Sequence, residues 1–331
     1  MIPMDFDWLA NVLARDYQGG NQKVKNINTD TRTLCDGEVF LALQGPNFDG
    51  HKFVAQAKEK GAIAAIVARP VNVDIVQFVV SDTRIALGQI GTAVMAQVAP
   101  KTIAITGSVG KTTVKEMCAA ILSDHGEVLA TKGNFNNDIG VPKTWFNLTK
   151  KHQRVLLEFG ANARGEIEWL GEFSKPHISL LLNAGEAHTE GFGGIEGVRL
   201  AKGEIIDTTD PEGGVVLNQD DPAFNNWLKR AGDRKVVSFG KRTDADVCLL
   251  TFENSGTGSE FTLSMPDGDI SVTWSMLGRH MAMNAAAAAA MAWLAGVSEL
   301  DIAQGLSEMK PEPGRMEPVE STYGGPLIHD A

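Results

Sequence analysis

Short apolar runs alternate with helix-length amphipathic segments along the first hundred residues. Strands are predicted at Val39–Leu43, Ala62–Val67 and Phe78–Val80, and helices at Phe53–Lys60 and Arg84–Val98. Pro100 should end the second helix, because proline has no amide hydrogen to donate. We therefore predict a small α/β domain over residues 1–99, with a boundary near Ala99.

A second and longer alternation follows Pro100. Strands are predicted at Thr102–Thr106, Val155–Phe159, Ile178–Asn183 and Gly214–Leu217, and a helix at Thr112–Leu122. The intervening segments are long enough for crossover helices, which is typical of a mostly parallel sheet. The alanine run Ala285–Ala290 indicates a closely packed helix. The fold class is therefore α/β, with residues 100–331 forming a second domain around a mostly parallel sheet.

Composition narrows the classes of function. The chain of 331 residues carries a net charge of -11, and its pI is near 5.1, which argues against a nucleic-acid partner. No apolar run reaches the roughly 18 residues of a membrane span, and the N-terminus lacks the pattern of a secretory signal. Three widely spaced cysteines fit a reducing compartment. We expect a cytoplasmic protein with no membrane span.

The strongest local signal is I-T-G-S-V-G-K-T-T at residues 105–113, between a predicted strand and a predicted helix. Glycines let the backbone approach phosphate oxygens, the helix N-terminus presents free amides, Lys111 supplies charge, and Thr112 can hold magnesium. The spacing G-x-x-G-K-T is shorter than the general P-loop pattern, and a turn that only joins strand to helix is the alternative. The predicted nucleotide site comprises Gly107, Ser108, Val109, Gly110, Lys111, Thr112 and Thr113.

Three further side chains follow or flank later strands. Glu158 ends an apolar strand, His188 lies just past another, and Lys202 lies in a helical segment. A strand-end glutamate beside a P-loop threonine suits magnesium, which is a hard ion. The residue pattern alone also allows a helix cap or ion-pair partner at Glu158, a loop histidine at His188 and a solvated lysine at Lys202.

Ordered motifs identify a family. After the loop come T-K-G-N-F-N-N-D-I-G-V-P at 131–142, E-F-G-A-N at 158–162, N-A-G-E-A-H at 183–188 and A-K-G-E-I at 201–205. Together with the loop they resemble the Mur ligases. In the first domain, D-T-R at 30–32, G-E-V-F-L-A-L at 37–43 and F-D-G-H-K-F at 48–53 resemble the UDP-sugar-binding domain of that family.

The resemblance implies roles for individual residues. Lys111 and the loop amides would hold the ATP phosphates, Thr112 and Glu158 one Mg²⁺, and His188 a second Mg²⁺. Lys202 matches a family lysine that is carbamylated and thereby becomes a magnesium ligand. Lys111, Lys202 and His188 form the implied catalytic set. Further implied nucleotide contacts are Asn284, Arg315 and Asp330, with Met281 at a position where relatives often carry Asn.

The first domain would hold the UDP end of the substrate. The residues that the resemblance assigns to it are Asp30, Thr31, Arg32, Asp49, Gly50 and His51. Outside the resemblance, an ion pair between Asp30 and Arg32 and a simple turn at Asp49-Gly50 explain the same residues.

The implied reaction is an ATP-dependent amide ligation through an acyl phosphate. The expected partners are UDP-N-acetylmuramoyl tripeptide and D-alanyl-D-alanine, the cofactors ATP and Mg²⁺, and the expected state a monomer. The sequence ends where the family continues into a Rossmann-like C-terminal domain, so we expect an incomplete ligase with impaired turnover. The alternatives are a MurE-like or folylpolyglutamate-type ligase adding a single amino acid, a non-catalytic nucleotide-binding fragment, and a generic P-loop ATPase.

Overall fold

The computed structural model describes residues 2–45, 47–186, 189–255, 258–310, 317–320 and 326–329, with only the backbone given for 189–190 and the last two ranges. The strands are β1 Met4–Asp5, β2 Lys23–Val24, β3 Ile27–Asn28, β4 Val39–Leu41, β5 Gln44–Gly45, β6 Phe48–Asp49, β7 Ala64–Val67, β8 Val76–Val79, β9 Lys101–Thr106, β10 Val128–Ala130, β11 Arg154–Phe159, β12 Ile178–Leu181, β13 Gly214–Asn218, β14 Lys235–Gly240, β15 Val247–Ser255, β16 Gly258–Ser264, β17 Asp269–Trp274, β18 Glu317–Glu320 and β19 Pro326–His329. The helices are α1 Phe6–Val12, α2 Val54–Glu59, α3 Thr83–Val98, α4 Lys111–Ser123, α5 Gly140–Trp145, α6 Glu166–Ser174, α7 Thr189–Phe192, α8 Ile195–Asp207, α9 Phe224–Ala231, α10 Arg279–Leu294 and α11 Glu299–Ser307, with a 3-10 turn at Gly50–Phe53.

The first compact unit contains the described residues up to Pro100 together with residues 134–153. Its main sheet is parallel, in the order β3-β4-β7-β8. The central strands β4 and β7 are buried along their whole length, which explains why their sequences read as continuous apolar runs. The α/β character predicted for this part of the chain is confirmed.

Residues 134–153 belong to the first unit, although along the chain they follow β9, α4 and β10 of the second unit. Trp145 in α5 is fully buried, and a Cβ placed on Gly91 of α3 would overlap its indole ring. Asp138 also forms an ion pair with Arg84 at the start of α3. The predicted division at residues 99 and 100 does not include this second segment, because long-range packing of Trp145 leaves no signal in local periodicity.

The second unit, residues 101–133 and the described residues from 154 onward, is built on a nine-stranded sheet. The strand order is β10-β11-β9-β12-β13-β14-β15-β16-β17. Pairing is parallel from β10 to β15 and antiparallel for the last two pairs. The mostly parallel sheet is therefore confirmed, and β14 to β17 are an extension that the apolar-run analysis did not identify.

Helices cover both faces of this sheet. Successive residues of a strand point to opposite faces. Ile178 and Leu180 of β12 belong to the core shared with α4 and α10, whereas Ser179 between them donates to the carbonyl of Ile205 in α8. All of Ala285–Ala290 in α10 are fully buried, which confirms the closely packed helix. Within the described ranges, no helix has the length and apolar character needed to cross a bilayer.

The packing of α5 on α3 gives a stability test. Gly91→Ala should lower the free energy of unfolding by about 1–3 kcal/mol, the usual cost of inserting a methyl group into a filled core. Urea denaturation measures the change. Gly20→Ala is the matched control, because a Cβ at exposed Gly20 meets no atom within 4 Å. Equal stabilities of the two variants would contradict the assignment of α5 to the first unit.

Candidate functional site

The loop between β9 and α4 lies at the carboxyl edge of the nine-stranded sheet, where ligands of parallel sheets bind. Gly110 adopts a left-handed conformation with φ of +85° and directly precedes the first residue of α4, Lys111. A Cβ on Gly110 would lie 2.9 Å from Oδ1 of Asn284 in α10. The left-handed conformation therefore favours glycine at this position. Asn284 lies against the loop, and its contact with a nucleotide stays a prediction.

Asn183, which follows β12, fixes the loop backbone. Its Oδ1 accepts hydrogen bonds from the amides of Ser108 and Val109, both at 3.0 Å, and its Nδ2 donates to the carbonyl of Val109 at 3.1 Å. The Ser108 hydroxyl and the backbone of Gly185 also bond. Two of the loop amides predicted to hold phosphate thus brace the loop through Asn183 in this structure.

Lys111 places its ammonium group inside the loop. Its Nζ donates to the carbonyls of Gly107 and Ser108 at 2.8 and 3.2 Å. Burial lowers the pKa of Lys111, and the negative charge of Glu158 opposes that shift. A partly desolvated cation held by two neutral carbonyls is suited to exchange them for phosphate oxygens, which carry charge.

Thr112 and Glu158, the two residues predicted to hold one Mg²⁺, are in contact. Thr112 Oγ1 donates to Glu158 Oε2 at 2.9 Å, and Glu158 is only 2% exposed at the end of β11. Neighbouring oxygens of an octahedral shell with bonds of 2.0–2.1 Å are about 2.9 Å apart. The pair therefore has the chemistry and spacing of two adjacent Mg²⁺ ligands. Among the described side chains no group of three or more His, Cys, Asp or Glu forms a metal cluster, and Mg²⁺ bound with nucleotide needs few protein ligands.

Lys202 on α8 is buried, with 4% exposure. Desolvation, together with the charge of Lys111, lowers its pKa to about 8, against the opposing charges of Glu166, Glu204 and Glu158. Its Nζ lies 6.0 Å from the ring centre of Phe192. The solvated-lysine alternative is thus wrong for Lys202, which is electrostatically coupled to Lys111 and Glu158. His188, Arg315 and Asp330 lie outside the described residues.

A separate cavity of about 510 Å³ lies in the first unit. Its lining comprises Thr29, Asp30, Thr31, Arg32, Phe40, Phe48, Phe53, Gln56 and Lys143. The rings of Phe48 and Phe53 stack with centroids 5.6 Å apart, and Thr31 donates to Gln56 at 2.9 Å. Three predicted substrate residues, Asp30, Thr31 and Arg32, therefore share one cavity.

Charges at this cavity are partly paired. Arg32 forms an ion pair with Asp30 at 2.7 Å, and hydrogen bonding from Arg32 lowers the pKa of Asp30 to about 2. The ion-pair interpretation of these two residues is thus confirmed. Lys143 from α5 is half-buried, and desolvation lowers its pKa, opposed by the charge of Asp30. Lys143 was not identified from the sequence, because α5 was not assigned to this unit.

The other predicted substrate residues form a tight turn beside the cavity. Asp49 accepts from Nδ1 of His51 at 2.8 Å and from Arg69 at 2.6 Å, and Nε2 of His51 accepts from the amide of Ala68. A Cβ at Gly50 would lie 2.6 Å from the carbonyl oxygen of Leu43. These contacts give the turn a structural role, and direct substrate contacts of Asp49, Gly50 and His51 stay a prediction.

The buried amine of Lys202 predicts a pH dependence of stability. The pKa is about 8 in the folded chain against 10.5 ordinarily, so between these values the unfolded chain binds more protons and stability rises with pH. Relative to Lys202→Met, the wild type should gain about 3 kcal/mol from pH 8 to 10.5. Urea unfolding in buffers free of carbon dioxide measures this gain. Lys60→Met, at an exposed lysine, is the control, and parallel pH profiles of wild type and Lys202→Met would refute the shift.

Two family models and several known proteins match this chain. The family model described as "Mur ligase middle domain" matches residues 105–292, and "Mur ligase family, catalytic domain" matches residues 23–125. The UDP-N-acetylmuramoyl-tripeptide--D-alanyl-D-alanine ligase of Escherichia coli K12 is 40% identical over 332 aligned residues, covering 100% of this chain and 74% of the relative.

Solved structures give the same result. MurF from Acinetobacter baumannii superposes with a TM-score of 0.93 at 38% identity, covering 99% of this chain and 73% of that one. MurF ligase from Thermotoga maritima, solved in complex with ADP, gives a TM-score of 0.82 at 29% identity over 90% of this chain and 69% of that one. The resemblance expected from the ordered motifs is confirmed, and the chain belongs to the Mur ligase family.

Proposed function

We propose that this chain acts in the ATP-dependent ligation of D-alanyl-D-alanine to UDP-N-acetylmuramoyl tripeptide, through an acyl phosphate. The observation that carries the proposal is the contact between Thr112 and Glu158 beside Lys111, in a chain 40% identical to a ligase of that name. The chain spans about three quarters of that relative's length.

ATP would bind at the loop that precedes α4. The first-turn amides of α4 and the ammonium of Lys111 offer positive charge at one point, which suits the β- and γ-phosphates. Asn284 lies beside Gly110 and would make a further contact with the nucleotide. The ADP complex of the Thermotoga maritima relative supports nucleotide binding in this fold. Roles for Arg315 and Asp330 stay part of the proposal.

Thr112 and Glu158 would hold one Mg²⁺. A bound magnesium ion would neutralise charge that develops on the transferred phosphoryl group. The pKa of about 8 for Lys202 supports its carbamylation, because only a neutral amine attacks carbon dioxide, forming the N–C bond and releasing a proton. The resulting carbamate would supply oxygen to magnesium, as His188 would supply nitrogen to a second ion.

The residues of the chain act mainly by positioning. Lys111 would hold the γ-phosphate while an oxygen of the substrate carboxylate attacks its phosphorus and ADP leaves. The amine of the dipeptide then attacks the acyl carbon and loses a proton, an amide bond forms, and inorganic phosphate leaves with the electrons of the broken C–O bond. Preorganised charge at Lys111 stabilises the transferring group without reorganising at the moment of reaction.

The cavity of the first unit would bind the UDP portion of the substrate. The stacked rings of Phe48 and Phe53 are about half and a third exposed, so they offer a flat apolar surface to a base or sugar. Lys143 and Arg32 provide cationic groups for a diphosphate. Asp30 lines the same cavity, and its carboxylate is ionised at neutral pH because its pKa is about 2. It would accept a hydrogen bond from a hydroxyl group of the substrate.

A ligation assay tests the proposal. The chain is incubated with ATP, Mg²⁺, UDP-N-acetylmuramoyl tripeptide and D-alanyl-D-alanine, and calorimetry measures binding of each ligand. Glu158→Gln should weaken magnesium-dependent ATP binding at least about 10-fold, a loss that even an indirect metal partner can cause, whereas Glu253→Gln, at an exposed glutamate of β15, should not.

The outcomes separate the competing functions. Product with a single amino acid in place of the dipeptide would favour a MurE-like or folylpolyglutamate-type ligase. Binding of ATP and of the UDP-linked tripeptide without product would favour a non-catalytic nucleotide-binding fragment. Hydrolysis of ATP without any carboxylate substrate would favour a generic P-loop ATPase. Absence of ATP binding by the wild-type chain would reject the proposed site.

The first-unit cavity has its own test. Lys143→Met should weaken binding of the UDP-linked tripeptide about 10-fold, the order expected for losing one hydrogen bond to a charged group. ATP affinity should stay unchanged, because Lys143 lies in the first unit. Calorimetry with each ligand measures both values, with Lys60→Met as control. Unchanged affinity for the UDP-linked ligand in Lys143→Met would place the diphosphate elsewhere.

A further inference from the structure

Lys115 is a fully buried lysine on α4, one turn beyond Lys111. Its Nζ donates to the carbonyl of Thr131 at 2.5 Å and forms an ion pair with Glu116 at 2.7 Å. A buried ammonium group is costly unless it is paired and hydrogen-bonded. The nucleotide site described above does not use Lys115, so its burial needs another explanation.

Thr131 lies immediately after β10, where the edge strand stops. The last paired residues are Ala130 and Leu156, and the amide of Thr131 continues the ladder to the carbonyl of Leu156 at 2.9 Å. In a regular parallel ladder the next amide, that of Glu158, would face the carbonyl of Thr131. Lys115 bonds that carbonyl, and the hydroxyl of Thr131 accepts from the amide of Glu158 at 3.1 Å.

The two contacts form a continuous connection from α4 to the end of β11. It runs from the ammonium of Lys115 through the backbone and hydroxyl of Thr131 to the amide of Glu158, all of them buried. The carboxylate of Glu158 in turn accepts from Thr112, three residues before Lys115 on α4. The helix thus holds the glutamate at two points, once through its side chain and once through its backbone.

We infer that Lys115 and Thr131 are positioning residues, which set the position of the Glu158 carboxylate relative to Thr112 for magnesium. The inference rests on the proposed function, since it assigns them to the same metal site. Neither side chain is inferred to contact the ion or the nucleotide. Because outer partners orient a metal ligand, their loss lowers metal affinity even when the ligand itself is intact.

The test replaces Thr131 by Val, which keeps the shape and removes the hydroxyl. Thr131→Val should raise the Mg²⁺ concentration needed for half-maximal ATP binding roughly 10-fold, while ATP binding without Mg²⁺ changes much less. Thr131→Ser, which keeps the hydroxyl, should need the same Mg²⁺ concentration as the wild type. Magnesium titrations of a fluorescent ATP analogue measure the effect.

Thr209→Val is the matched control for a buried threonine. Thr209 is 1% exposed, as is Thr131, and its hydroxyl bonds Ser179 and the carbonyl of Ile205, away from Glu158. Loss of stability alone would act in both variants, so the inference requires that only Thr131→Val shifts the magnesium titration. Equal shifts in the two variants, or no shift in Thr131→Val, would overturn it.

Failure of the proposed function has a different result. A wild-type chain that does not bind ATP with Mg²⁺ would reject the function itself. Hydrogen exchange then still tests the hydrogen bond between the amide of Glu158 and the hydroxyl of Thr131. Exchange of this amide should become faster in Thr131→Val and stay unchanged in Thr209→Val. Unchanged exchange in Thr131→Val would show that the hydroxyl does not hold β11.

Discussion

Burial of charge at one edge of the nine-stranded sheet is the constraint on which the second unit depends. Glu158 and Lys202 are almost inaccessible to water, and Lys111 is partly desolvated. Isolated charges in such a place would be expelled or neutralised. Neighbouring carboxylates offset part of this cost at both lysines, and the carbonyls of Gly107 and Ser108 accept hydrogen bonds from Lys111. The geometry of the loop, the strand ends and α8 is therefore set jointly by electrostatics.

Burial is the main cause of the low pKa of Lys202, and the charge of Lys111 adds to it, while Glu166, Glu204 and Glu158 oppose the shift. Lys111 is subject to the same two influences, since burial lowers its pKa and the charge of Glu158 opposes that shift. A polyanion bound beside these lysines would favour their charged forms, because an opposite charge nearby stabilises an ammonium group.

The sequence predicted the central elements because their signals are local. Apolar runs identified β4, β7, β9 and β11 within two residues of their bounds, and the glycine-lysine-threonine pattern identified the loop. The signals of β16 and β17 alternate between apolar and polar residues, since one face of an antiparallel strand stays solvated, and β15 is buried only at its first three residues. Lys115 and Lys143 carried no local signal at all. A lysine on a helix is ordinarily solvated, and only the packing of distant segments buries Lys115 fully and Lys143 in part.

The alanine run of α10 has a consequence for tolerance to mutation. Side chains of one carbon let the helix axis approach α4 and the sheet closely, and the same helix carries Asn284 to the edge of Gly110. The close packing of α10 therefore determines where Asn284 lies relative to Gly110. A larger side chain at any of Ala285–Ala290, which are all fully buried, would displace the helix and with it Asn284, so these positions accept only small residues.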